Sequence, residues 1–131
     1  MRYRDLLGDE FGIEEILDLF IDFATSELEL EEPPQVILTS DGELGTTFGC
    51  YDPNSDIIYL EVANRHPVDI MRTLAHEMTH FRQDQRGELK PDSGQDGSEH
   101  ENEANAMAGV IMRKFGKRKP ELFRSVPLAG L

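Results

Sequence analysis

Apolar and polar positions alternate along this chain with two different periods, and the switches between them divide it into six elements. Ile13, Ile16, Leu17, Phe20, Ile21, Ala24 and Leu28 recur at helical spacing, with acidic residues on the opposite face. Asp9 can cap this first helix, and Pro33 with Pro34 ends it and begins an extended stretch. Three β-rich runs follow, over 36–39, 46–51 and 57–62. Asp41-Gly42 closes the first run, and Asp52-Pro53-Asn54-Ser55 reads as a β-turn that joins the other two as a hairpin. Pro67 suits the first position of a second helix, where its missing N–H costs nothing. That helix is expected to run to about Arg86, stopped by Gly87, with Ile70, Met71, Leu74, Ala75, Met78 and Phe81 on its apolar face. After a polar loop over 91–97, a third helix is expected from near Ser98 to about Phe115, before Gly116. Its stripe is Ala104, Met107, Ala108, Ile111 and Phe115. No repeat or low-complexity tract interrupts the pattern. It predicts an α+β fold: an acidic N-terminal helix, a small three-stranded sheet and two further helices.

Composition narrows the picture. The 131 residues fit a single domain over 1–131, and a hydrophobic content of 38% allows only a modest core. Net charge is −13, with much of the acid within residues 1–32. That balance argues against nucleic acid or an anionic membrane as the main partner, since phosphate binding rests on basic footprints. Arg113, Lys114, Lys117, Arg118, Lys119 and Arg124 reverse the bias near the end. They read as a solvated helix end facing its own C-terminal carbonyls. A lone cysteine, Cys50, excludes an internal disulfide and favours a reducing compartment. Residues 1–5 lead into charge rather than an apolar signal core, and no apolar stretch nears the ~20 residues a membrane span needs. The expected location is the cytoplasm.

The chemistry lies in the second helix. His76-Glu77-Met78-Thr79-His80 is a HExxH string. Residues four apart share a helix face, so both imidazoles can reach one ion. Two neutral imidazoles suit Zn²⁺ and leave room for a third ligand and a water. Glu77, beside His76 but off the metal, is placed to take that water's proton and pass it to a leaving amine. By chance alone the string is expected in roughly one chain of this composition in a hundred. Its position inside a helix with an apolar opposite face makes a pair of solvated histidines the weaker reading.

A third ligand must come from the next helix, where Glu99, His100, Glu101 and Glu103 compete. At about 100° per residue, Glu101 lies at the edge of the apolar stripe, extended there by Met112, whereas Glu103 points further away. Ala104 and Ala108 are small enough for close helix approach, and Asn105, one turn on, suits a supporting hydrogen bond to Glu101. Against this, Ser98-x-x-Glu101 is a capping box in which Glu101 would only satisfy a backbone amide, although Asp96 with Glu99 offers another cap. Of the remaining residues, His66 reads as a helix start and Cys50 as a half-buried strand residue or, less favourably, a fourth ligand. Tyr51, Tyr59 and Arg72 are candidates to stabilise an oxyanion.

HExxH followed after twenty residues by Glu101-Asn102-Glu103-Ala104-Asn105, with Met107-Ala108 beyond, resembles the gluzincin arrangement of HExxH then ExxA(N/D). More narrowly, residues 46–112 resemble the ImmA/IrrE-type metallopeptidases and short phage-encoded relatives. Gly49-Cys50-Tyr51-Asp52-Pro53, Ile57-Ile58-Tyr59-Leu60 and Thr73-Leu74-Ala75 carry the similarity before the motif. The resemblance implies a zincin-like fold, zinc held by His76, His80 and Glu101, Glu77 as general base, and a protein or peptide substrate. In this fold type the third strand would border the cleft. Met107 where the family has an aromatic residue, Arg113 in place of proline, and the lack of a DNA-binding or sensor domain are departures. Gln83 and Arg86 stand where a metzincin needs Gly and His or Asp.

The sequence is therefore read as a zinc metallopeptidase. The competing reading is a virus- or mobile-element-encoded binding protein, or a pseudo-enzyme holding zinc structurally, that sequesters a host factor through its acidic first helix.

Overall fold

The computed structural model describes residues 2–4, 10–40, 42, 44–45, 47–90, 97–120 and 126–127. Strands β1 (Arg2–Arg4) and β2 (Glu10–Gly12) lead into helix α1 (Ile13–Glu27). Strands β3 (Gln35–Thr39), β4 (Gly49–Asp52) and β5 (Ile57–Glu61) precede helices α2 (Pro67–Gln85) and α3 (Glu99–Arg118), and β6 (Val126–Pro127) follows. The α+β class, three helices and a small three-stranded sheet are as the pattern predicts. A second small sheet, ordered β2-β1-β6, is additional. It explains the entry to α1. Gly12 ends β2 and is itself the N-cap, without a side-chain cap, while Glu14 and Glu15 in the first turn complement the helix dipole. Asp9, the expected cap, lies outside the described residues.

Helix α1 stops before the prolines rather than at them. Glu29 takes a left-handed φ of 55°, and the Leu30 and Glu29 amides donate to the Thr25 and Ser26 carbonyls at 3.0 and 3.1 Å. This is a Schellman closure built on a non-glycine residue. Helix α2 closes in the same way on the expected glycine. Gly87 has φ 71°, and the Gly87 and Glu88 amides donate to Asp84 and Gln83.

The main sheet is ordered β3-β5-β4. Strands β4 and β5 form the expected antiparallel hairpin, with Cys50 opposite Tyr59, and Asp52 shapes the turn by accepting from the Asn54 amide and the Ser55 hydroxyl. Strand β3 pairs parallel to β5, with Ile37 opposite Tyr59. The chain thus crosses from one edge to the other before returning through the middle. This corrects one expectation: the third strand is central, and β4 is the edge strand beside the cleft.

Ile58 and Leu60 on β5 face α2, where Ile70, Met71, Leu74, Ala75 and Met78 are fully buried. Helix α1 contributes Ile16, Leu17, Phe20 and Ala24 to the same core, and α3 contributes Ala108, Ile111, Met112 and Phe115. Helix α3 continues to Arg118, so Gly116 does not end it. A helical glycine costs about 1 kcal/mol. Buried Phe115 and the Lys114–Glu27 ion pair at 2.9 Å hold the last turns against that cost. Arg118 lies over the Phe23 ring, so part of the basic run packs as well as facing solvent. Among the described residues no helix is long and apolar enough to cross a membrane.

Candidate metal centre

Helices α2 and α3 run antiparallel. Gln83 and His80 meet residues 100–103, while Arg72 and Thr73 share a cavity with Asn105 and Ala108. Ala104 and Ala108 are buried and small enough to let the helices close. His66 starts α2 as its N-cap, its Nδ1 accepting from the Val68 amide at 3.1 Å, with Pro67 in the first turn.

The α2–α3 seam brings His76, His80 and Glu101 together. Glu101 Oε1 lies 3.0 Å from His76 Nε2, and Oε2 lies 3.0 Å from His80 Nε2. One ligand atom from each lies within 4.8 Å of the others. The two imidazole rings meet edge to face, 4.9 Å between centroids. Tetrahedral zinc with bonds near 2.0–2.1 Å sets neighbouring donors about 3.3 Å apart, close to the two 3.0 Å separations between Glu101 and the imidazoles. Two nitrogens and a carboxylate also match the donor chemistry of that ion.

The other candidates on α3 have different work. Glu99 is exposed in the first turn. The His100 carbonyl and Glu103 Oε1 both accept from Gln83 Nε2, at 3.0 and 2.9 Å. Ser98 caps the helix by accepting from the Glu101 backbone amide at 3.1 Å. The cap therefore uses the backbone of Glu101 and leaves its carboxylate for the imidazoles. Asp96 lies outside the described residues.

The sequence pattern sets Gln83 against a metzincin but assigns it no role beside His80. It is fully buried, and its Oε1 lies 2.8 Å from His80 Nδ1. An amide oxygen only accepts, so Nδ1 carries a proton, which leaves Nε2 as the nitrogen that can serve a metal. The supporting hydrogen bond expected from Asn105 is absent. Among the described residues Asn105 makes no bond to Glu101, and it lines a cavity instead. The signal for Gln83 was spacing alone: three residues after His80, it shares that histidine's face.

Glu77 is 8% exposed and lies outside the donor cluster. Burial pushes its carboxyl above the usual range, the neighbouring His76 and His80 pull it back, and Glu101 pushes it up again. A carboxylate so held accepts a proton more readily than a solvated one. Gly49 lies against it. A Cβ there would sit 2.6 Å from Thr73 Cγ2 and 3.4 Å from Glu77 Cγ, so only glycine lets β4 lie this close to α2. An isolated glycine within a strand pattern is the signal for such an approach.

Two cavities meet at these residues, one of about 810 Å³ and one of about 710 Å³, and Thr47, Gly49, His76 and Glu77 line both. Cys50 lines the second and is exposed rather than half-buried, because it lies on the outer face of edge strand β4. Partial burial, then Glu77 and Asp52, raise its thiol above the ordinary range, and it lies outside the donor cluster. The Tyr51 hydroxyl is taken up by Asp56 and Asp84. Tyr59, between buried Ile58 and Leu60, points to the opposite face of the sheet. Of the three oxyanion candidates, Arg72 alone is open in the cleft. No family model, curated protein or solved structure matches the chain.

Proposed function

We propose that this chain is a zinc-dependent metallopeptidase of gluzincin type. The observation that carries the proposal is the Glu101 carboxylate lying 3.0 Å from both His76 Nε2 and His80 Nε2, with Glu77 buried beside them. His76, His80 and Glu101 hold the ion. Bound zinc would supply Lewis acidity, polarising a scissile carbonyl and easing deprotonation of a water.

The protein's own residues do the rest. Gln83 keeps His80 in the tautomer that offers Nε2. The Glu77 carboxylate takes the proton released at attack and returns it to the amine that leaves. Its burial shields that proton from bulk water between the two steps. The substrate backbone lies along β4, the sheet edge that lines both cavities and has no further strand beside it among the described residues. Main-chain hydrogen bonding along such an edge orders a peptide without demanding a sequence.

Glu77→Gln tests this directly. Hydrolysis of a mixed peptide library is expected to fall by about 10²–10⁴-fold, the range for loss of a positioned general base. Zinc content should stay at the wild-type level, because Glu77 moves a proton and does not ligate. Turnover near the wild-type rate would remove Glu77 from the mechanism.

A further inference from the structure

The two lobes of the cleft differ in charge. The 710 Å³ lobe runs past His80 and is lined by Asp84 and Glu101, with Lys90 at its rim. The 810 Å³ lobe runs the other way, along the first turns of α2, and contains Arg65 and Arg72 against Asp69. Arg65 is part of the wall. Its guanidinium donates to the Glu61 and Asp69 carbonyls and to Thr73 Oγ1, at 3.2, 3.2 and 2.8 Å, and lies 4.3 Å from the Phe48 ring centroid. Arg72 is different. It is exposed, one helical turn before His76, and has no hydrogen-bond or ion-pair partner among the described residues.

Strand direction says which part of a peptide reaches it. Strand β4 runs from Gly49, shared by the two lobes, toward Asp52 and Pro53 at the 710 Å³ lobe, while Phe48 just before it belongs to the 810 Å³ lobe. The antiparallel ladder is the slightly more stable per residue, and a peptide that pairs with β4 in that sense runs the opposite way. Its N-terminal part lies by Asp84 and its C-terminal part by Arg72.

We infer that the 810 Å³ lobe receives the residues C-terminal to the cleaved bond, and that Arg72 there binds a substrate carboxylate. The carboxylate comes from an aspartate or glutamate side chain or from the peptide's free C-terminus. A guanidinium meets such a group with two parallel hydrogen bonds, which fixes direction as well as adding affinity. Asp69, one turn back on the same helix, repels it in part and disfavours more than one acidic residue. The inference rests on the metallopeptidase reading for its geometry, yet it can fail separately.

The test uses N-acetylated mixed peptides in two sets, one with free C-termini and one amidated, and reads cleavage sites by mass spectrometry. With wild-type protein, aspartate and glutamate within two residues after the cut should be enriched about tenfold over asparagine and glutamine, the size of a solvated charge-assisted contact. Enrichment confined to the free-acid set at chain ends would assign the terminus as the source. Arg72→Gln should abolish the enrichment and Arg72→Glu should turn it toward lysine and arginine. Cleavage without acidic enrichment, or enrichment that survives Arg72→Gln, overturns the subsite and leaves the peptidase reading standing. The second arm measures retention of the same peptides on immobilised, zinc-loaded protein. If nothing is cleaved but carboxylate peptides are retained only when Arg72 is present, the peptidase reading falls with the placement relative to a cleaved bond, and the carboxylate contact at Arg72 stands. Absence of both cleavage and Arg72-dependent retention overturns the inference.

Discussion

The two ends of α3 make opposite kinds of contact. Toward its C-terminus, Ile111, Met112 and Phe115 enter an apolar core, where Phe115 packs edge to face on Phe20 at 5.1 Å and tilted on Phe23 at 5.3 Å. Toward its N-terminus, the His100 carbonyl, Glu101 and Glu103 meet His76, His80 and Gln83 through individual polar contacts. Apolar packing is non-directional, and many weak contacts share the load. Buried polar contacts are pairwise, and each group left without a partner pays its full desolvation penalty. One end should therefore govern stability and the other metal binding, with little exchange between them.

The largest effect expected is at the apolar end. Phe115→Ala should destabilise the fold by about 3–5 kcal/mol, the range for removing a buried aromatic ring. Below its lowered melting temperature the protein should still bind zinc with wild-type stoichiometry. Denaturant melts beside metal analysis check this, and zinc loss in the folded variant would break the division.

Gly49→Ala comes next, because it acts where sheet and metal helix touch. The new Cβ would collide with Thr73 Cγ2 at 2.6 Å, and overpacking of this kind costs about 1–3 kcal/mol. Thr73→Ser removes that methyl and keeps the hydroxyl that Arg65 uses. The double variant should recover most of the lost stability, whereas additive losses would show that the contact is not the cause.

Gln83→Ala sharpens the polar side. Loss of the partner that orients His80 should weaken zinc affinity by about 10–100-fold while leaving the helical circular dichroism signal in place. Unchanged affinity would mean that His80 needs no orienting partner.

The smallest effect belongs to Tyr51, which ties β4 to Asp84 of α2. Burial first, then the hydrogen bonds to Asp84 and Asp56, push its ionisation well above the ordinary tyrosine range. An unfolded tyrosine ionises near pH 10, so the contribution is fully present below about pH 10 and is lost as pH rises toward the folded value. Melting temperature should therefore decline more steeply above pH 10 in the wild type than in Tyr51→Phe. Parallel alkaline slopes would contradict that origin.

How much of this was legible beforehand follows the same division. The Pro67 start, the Gly87 stop and the β4–β5 hairpin are local and appear where the pattern puts them, whereas α1 stops short of Pro33 and the run expected over 46–51 is a strand only over Gly49–Asp52. The spacing of Glu101 from the apolar stripe selected it from four candidates, and its carboxylate lies on both imidazoles. Strand order was not local. Whether β3 pairs with β4 or β5 depends on residues some twenty positions apart, which is why the third strand was expected at the cleft and proves central. Gln83 was missed because a buried amide and a solvated one look alike in a helix pattern. Gly116 misled because propensity was weighed without the Phe115 packing that overrides it.

The central claim is that His76, His80 and Glu101 form one metal site, and zinc titration of wild type, Glu99→Ala, Glu101→Ala and Glu103→Ala, each with its melting curve, tests it most directly. The wild type should bind one zinc per chain. Glu101→Ala should lose affinity by more than the roughly 10–100-fold expected for a supporting partner, and Glu99→Ala and Glu103→Ala should stay close to wild type. If Glu101 only supported the helix start, its loss would cost about 1 kcal/mol of stability with zinc still held. A chain that remains metal-free when offered zinc, or a Glu103→Ala variant that loses the metal while Glu101→Ala keeps it, would contradict the account.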